Sequence, residues 1–134
     1  MQQQTGTGLA PSPRILIVED EYYLADDLAR ALRAHGSVVV GPVGPLAEAR
    51  RMVDERQFDC AILDMNLRGQ MAFPIADALQ GAGIPFLVAT GYNGASLPEQ
   101  LESVPRIEKP YDVEQVAALV PELLKQTGST VDPD

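Results

Sequence analysis

Cys60-Ala61-Ile62-Leu63-Asp64 sets four consecutive apolar residues in front of one carboxylate. A run this short, apolar at every position instead of alternating, suits a strand covered on both faces. Strand-like runs that end on polar or charged residues recur outward in both directions, the last of them short. Arg14-Ile15-Leu16-Ile17-Val18 precedes Glu19-Asp20-Glu21, Ile84 to Ala89 precedes Thr90, and Arg106-Ile107-Glu108 precedes Lys109. Ser37 to Val43, with the β-branched run Val38-Val39-Val40, gives one further strand.

Helical patterns lie between these runs. Leu24, Leu28, Ala31 and Leu32 form one apolar stripe that ends at Gly36. Pro45 opens a second helix with Leu46, Ala49 and Val53 on one side. A third covers about Ala72 to Gln80 and stops at Gly81-Ala82-Gly83. The last starts after Asp112, an N-cap type, with Val113, Val116, Ala117, Val120 and Leu124 inward. Pro121 is expected to kink or split it. Asn93 to Pro105 carries only a weak helical pattern and two prolines, so a fourth helix there is expected to be short, irregular or mobile. Five alternations of strand and helix predict an α/β fold: a doubly wound parallel sheet with helices on both faces.

With 134 residues the chain is expected to form one domain, over 14–125, with polar tails at 1–13 and 126–134 and no second domain. A hydrophobic share of 46% argues against disorder. The net charge of −9, with Arg50-Arg51 as the lone adjacent basic pair, argues against nucleic-acid binding. No apolar run reaches membrane-spanning length, and Met1 to Pro13 lacks the pattern of a signal peptide. The single cysteine, Cys60, excludes an internal disulfide and agrees with a reducing cytoplasm.

In an open parallel sheet, ligands bind at the carboxyl ends of the strands. Here those ends carry Glu19-Asp20-Glu21, Asp64, Thr90 and Lys109. Carboxylates gathered on one rim repel each other unless a cation joins them. An all-oxygen site suits a hard divalent ion such as magnesium, which also accepts phosphate oxygens. A carboxylate can act as nucleophile and carry an aspartyl-phosphate, with a lysine and a hydroxyl as further donors to the transferring group. The set is therefore self-consistent for phosphoryl transfer.

The ordered motifs Val18-Glu19-Asp20-Glu21, Leu63-Asp64-Met65-Asn66, Ala89-Thr90-Gly91 and Glu108-Lys109-Pro110 resemble those of response-regulator receivers, over about Arg14 to Lys125. That resemblance implies a flavodoxin-like five-stranded sheet of order 2-1-3-4-5. It implies Asp64 as phosphoacceptor, and Mg²⁺ (or Mn²⁺) held by the side chains of Asp20 and Asp64 and the backbone carbonyl of Asn66, with Glu19 acting through water. Thr90 would bond the phosphoryl group, Lys109 would pair with it, and the Lys109-Pro110 bond would be cis. The implied partners are a sensor histidine kinase and a histidine phosphotransfer protein. Nucleic acid and membrane are not among them, and the chain would be a monomer or weak dimer. It would catalyse its own phosphorylation and dephosphorylation and not be a conventional enzyme. With no DNA-binding output domain expected, it would signal by protein–protein contact.

Pro85-Phe86-Leu87-Val88-Ala89-Thr90-Gly91-Tyr92 is similar to a stand-alone subgroup marked by Phe-Ala-Thr-Gly and a following residue that is often Tyr, with Val88 here in place of the Phe. Members of that subgroup often work with less common classes of histidine kinase in bacterial stress signalling. Two departures stand out: Glu19 begins the acid pair where most receivers have Asp, and Arg106 stands where most carry an aromatic switch residue. Readout is then expected to use ordering of Asn93 to Pro105.

Competing readings are weaker. A haloacid-dehalogenase-type phosphatase needs a second Asp two residues after the nucleophile, where Asn66 stands. A flavin site lacks a phosphate-cradling loop after the first strand, and Glu19-Asp20-Glu21 would repel the phosphate. A receiver-like module that docks without phosphorylation is the alternative that the missing aromatic switch favours. Glu21 reads as a first-turn helix acid and His35 as a helix-end residue. Tyr22 and Tyr23 read as surface and packing residues, Asp26-Asp27 as a solvated face, and Tyr92 and Tyr111 as flanking the site.

Overall fold

A computed structural model of the protein describes residues 11–91 and 97–131, with side chains to residue 126. The strands are β1 (Arg14–Val18), β2 (Val38–Val43), β3 (Cys60–Asp64), β4 (Asn66–Leu67), β5 (Gln70–Met71), β6 (Phe86–Thr90) and β7 (Arg106–Glu108). The helices are α1 (Tyr22–Ala34), α2 (Leu46–Glu55), α3 (Phe73–Ala82) and α4 (Val113–Val131), with a 3₁₀ turn at Glu99–Leu101. Five parallel strands form one sheet in the order β2-β1-β3-β6-β7. By position this is the expected 2-1-3-4-5 order of a flavodoxin-like sheet.

The uniformly apolar strands have a direct cause. Side chains alternate across a strand, and here both faces are covered. Leu16, Val18, Ala61, Leu63 and Val88 pack on one face with Ala49 and Val53 of α2 and Ile75, Ala76 and Leu79 of α3. Ile15, Ile17, Cys60, Ile62 and Leu87 pack on the other with Leu28 and Leu32 of α1 and Val116 and Val120 of α4. Burial pushes the Cys60 thiol up to about 12, with the nearby Asp59 adding to the shift, so it behaves as a small apolar side chain.

The edge strand β2 contains Gly41-Pro42, joined by a cis peptide. Proline cannot donate to a ladder, which confines it to edges and bulges, and the β1–β2 register shifts between Leu16 and Val18. Gly41 has φ 90, and a Cβ there would lie 3.0 Å from both the Ile17 carbonyl oxygen and the Val43 nitrogen. Gly41→Val is expected to cost about 1–3 kcal/mol, read as a lowered urea midpoint at constant slope.

Three features differ from expectation. Pro121 does not split α4, which runs as one element; proline removes one ladder bond, and inward Val116, Val120 and Leu123 hold the turns on either side of it. Backbone helix also passes residue 126, where a tail is expected, and reaches Val131, since extending a helix needs less ordering than starting one. Third, the chain after Asp64 makes a small antiparallel hairpin, β4 with β5, that hydrophobic periodicity over two-residue strands cannot register. Between β6 and β7 the described residues hold only the 3₁₀ turn, with Leu101 buried. Residues 92–96, which include Tyr92 and the start of the expected switch segment, lie outside the described residues.

Candidate functional site

β1, β3, β6 and β7 end on the same rim, and their terminal residues meet there. The Glu19 amide donates to the Val43 carbonyl at 2.9 Å, which fixes the turn out of β1. The Lys109 amide donates to the Thr90 carbonyl at 2.9 Å, which fixes the turn out of β7. Lys109 Nζ then lies 3.0 Å from Asp64 Oδ2 and 3.0 Å from Glu19 Oε1. The other Asp64 oxygen accepts from the Asn66 amide at 3.1 Å, and Glu19 Oε2 accepts from the Glu21 amide at 3.0 Å. Glu19 and Asp64 are buried. Glu19, Asp20 and Asp64 each offer a carboxylate oxygen within 4.8 Å of the others.

Thr90 is buried at the end of β6, where its neighbour Ala89 pairs with Asp64. Asn66 opens the hairpin, and its side-chain oxygen accepts from the Gly69 amide at 2.7 Å. The Lys109-Pro110 bond is cis. Glu21 stands at the N-cap of α1 without a side-chain cap bond. His35 closes α1 and meets Glu114 of α4 at 2.9 Å. Tyr22 and Tyr23 are exposed, with ring centroids 5.3 Å apart. Asp26 pairs with Arg30 one turn on, and Arg106 is exposed on β7. No sequence motif marks Arg68, yet its Nε lies 3.3 Å from Asp20 Oδ2. Arg68 and Gly69, both at positive φ, make the tight turn of the hairpin, and nothing in the sequence around Arg68 announces it.

Burial and the facing Asp64 charge raise the Glu19 carboxyl to about 7; the Glu21 amide and Lys109 work against that rise. Burial pulls Lys109 down, but its bonds to Asp64 and Glu19 outweigh burial and hold it above its ordinary value. Tyr111 is raised by burial and then by Glu19, Asp64 and Glu21, which puts its hydroxyl in the field of the same acids.

The Glu19 shift has a stability consequence. Between its ordinary value of 4.5 and about 7, the folded chain holds a proton that the unfolded chain has lost. Its contribution is full at the acid end of that window and fades as pH rises through it, by about 1–3 kcal/mol in all. Urea unfolding at a series of pH values should show that decline, and Glu19→Gln should flatten it.

Residues 15–121 match the family model described as the response regulator receiver domain. The chain belongs to that family. Among solved structures, this receiver domain is similar to SdrG of Sphingomonas melonis, at 37% identity and TM-score 0.74, over 87% of this chain and 99% of that one. A CheY-like receiver of Methanospirillum hungatei, 22% identical with TM-score 0.75 over 89% of this chain and 98% of that one, shares the fold. The transcriptional regulatory protein PdtaR of Mycobacterium tuberculosis is 30% identical over 97 residues, covering 72% of this chain and 47% of that protein. The chain thus spans about half the length of the curated relatives it matches. Among the described residues, no helix is long and apolar enough to cross a membrane.

Proposed function

We propose that this receiver domain accepts a phosphoryl group on Asp64 from a sensor histidine kinase in the cytoplasm, with a divalent cation, Mg²⁺ or Mn²⁺, at the acidic rim. The observation that carries the reading is the set of three carboxylates within 4.8 Å, joined by Lys109 at 3.0 Å from Asp64. An all-oxygen donor set suits a hard cation. Glu19 Oε1 is buried without an aligned hydrogen bond, which suits a water between it and the ion. Asp20 and Asp64 would hold the ion through their side chains, Asn66 through its carbonyl, and Glu19 through that water.

The chain's own residues do the rest. An Asp64 carboxylate oxygen attacks the phosphorus, the phosphorus–nitrogen bond of the phosphohistidine breaks, and the electron pair returns to the imidazole. Lys109 offsets charge on the transferred group, and the Thr90 hydroxyl donates to one of its oxygens. The cation supplies charge neutralisation of the phosphoryl oxygens when bound.

Intact-protein mass after incubation with acetyl phosphate and Mg²⁺ tests this. One added phosphoryl group in wild type, absent in Asp64→Ala and absent when the metal is chelated, is the expected result. No adduct from acetyl phosphate or from a phosphorylated kinase, with partner binding unchanged in Asp64→Ala, would replace it with the phosphorylation-independent docking module that exposed Arg106 favours.

A further inference from the structure

Arg68 makes a contact that packing does not require. Its side chain is 83% exposed, yet it reaches the carboxylate of Asp20 at 3.3 Å. Its mount is firm: the hairpin is closed by the Ala72 amide on the Met65 carbonyl at 2.8 Å and by the Gly69 amide on Asn66 Oδ1 at 2.7 Å. The hairpin begins two residues after Asp64, so the rigid end of β3 and the guanidinium are coupled through a short path. Beside it, Asp20, Gly44, Pro45, Leu67, Arg68 and Gln70 help line a cavity of about 620 Å³, room into which the guanidinium can swing without any rebuilding of the backbone.

We propose that Arg68 is a tethered cation that caps Asp20 and competes with a divalent ion for that carboxylate, and so sets the affinity of the site. This rests on the reading of Asp20 as a metal ligand. An ion bound to Asp20 would stand close to the guanidinium, and two positive charges at that distance repel. Entry of the ion therefore requires Arg68 to leave, and its monovalent contact through a single nitrogen at 3.3 Å yields to a dication but holds off weaker competitors. Because the Arg68 partner is 83% exposed, although Asp20 is only 15% exposed, its hold is modest and weakens with salt.

The test is a Mg²⁺ titration of the isotopically labelled chain at low ionic strength, without any phosphodonor, followed by amide chemical shifts. Arg68→Gln should bind Mg²⁺ about three- to tenfold tighter than wild type. Arg68→Lys should stay near wild type, and the gain should shrink at high salt. Arg33→Gln, which removes another cation lining the same cavity, should gain less than Arg68→Gln. Equal gains in the Arg33 and Arg68 variants, or no gain in Arg68→Gln while wild type binds Mg²⁺, would overturn the role of Arg68 alone. No magnesium-dependent shifts in any variant would overturn the metal reading and this proposal with it.

Discussion

Lys109→Met should slow phosphoryl acceptance by Asp64 about a hundredfold or more, the scale on which a positioned transition-state donor acts. Lys109 Nζ stands 3.0 Å from both Asp64 and Glu19 and links the ends of β1, β3 and β7 through one ammonium group. Without it, two buried carboxylates face each other with no positive charge from the chain between them. Glu19, already raised to about 7 by burial and the facing Asp64, loses the Lys109 contacts that work against that rise and holds its proton to higher pH. Stability should fall too, by about 2–4 kcal/mol at neutral pH, somewhat under the figure for a fully buried pair, because the Lys109 side chain is 23% exposed. The loss should be smaller at pH 5 than at pH 8, since acid supplies the proton that replaces the ammonium. Phosphorylation time courses and urea unfolding at the two pH values read both effects. Unchanged kinetics would remove Lys109 from the chemistry.

Leu63→Ala should cost about 2–5 kcal/mol, a transfer loss plus the cavity left behind. Leu63 is fully buried in the cluster between the sheet and helices α2 and α3, beside Val18, Val88 and Leu79. None of these can collapse far into the gap, because the strands on each side are fixed by their ladders. Leu119→Ala, at a position 41% exposed, should stay within about 0.5 kcal/mol of wild type. Paired denaturation curves of the two variants measure the contrast. A Leu63→Ala cost as small as that of Leu119→Ala would contradict the packing described for β3.

The centre of the sheet could be read from the sequence because β1, β3 and β6 obey a simple rule: buried on both faces, they are almost wholly apolar up to their ends. Ile15 to Val18 and Cys60 to Leu63 feed alternate side chains to opposite faces. The rim residues could be placed for a related reason. Each ends a strand or follows within two residues of its end, so locating the strand locates Glu19, Asp20, Asp64, Thr90 and Lys109. What could not be read depends on interactions that leave no period. The β4–β5 hairpin rests on two residues at positive φ, one of them an arginine, a poor advertisement for a turn. The Arg68–Asp20 pair spans the β1 end and that hairpin, and no local pattern connects them. Of the kink or split expected at Pro121, the split does not occur, because the contacts of Val116, Val120 and Leu123 hold the turns on either side in one element. Glu19 is a subtler case. Its position is plain in sequence, but the rise toward neutral pH comes from burial and from a carboxylate brought up from β3.

The central claim is that Asp64 itself carries the phosphoryl group, and borohydride trapping addresses it most directly. An acyl phosphate is reduced by borohydride, which turns the modified aspartate into homoserine, and peptide mass spectrometry then locates the change. After incubation with acetyl phosphate and Mg²⁺, homoserine at position 64 and at no other aspartate is the result predicted. Homoserine at Asp20 or elsewhere with Asp64 intact, or none in a sample whose intact mass shows the phosphoryl adduct, would contradict it.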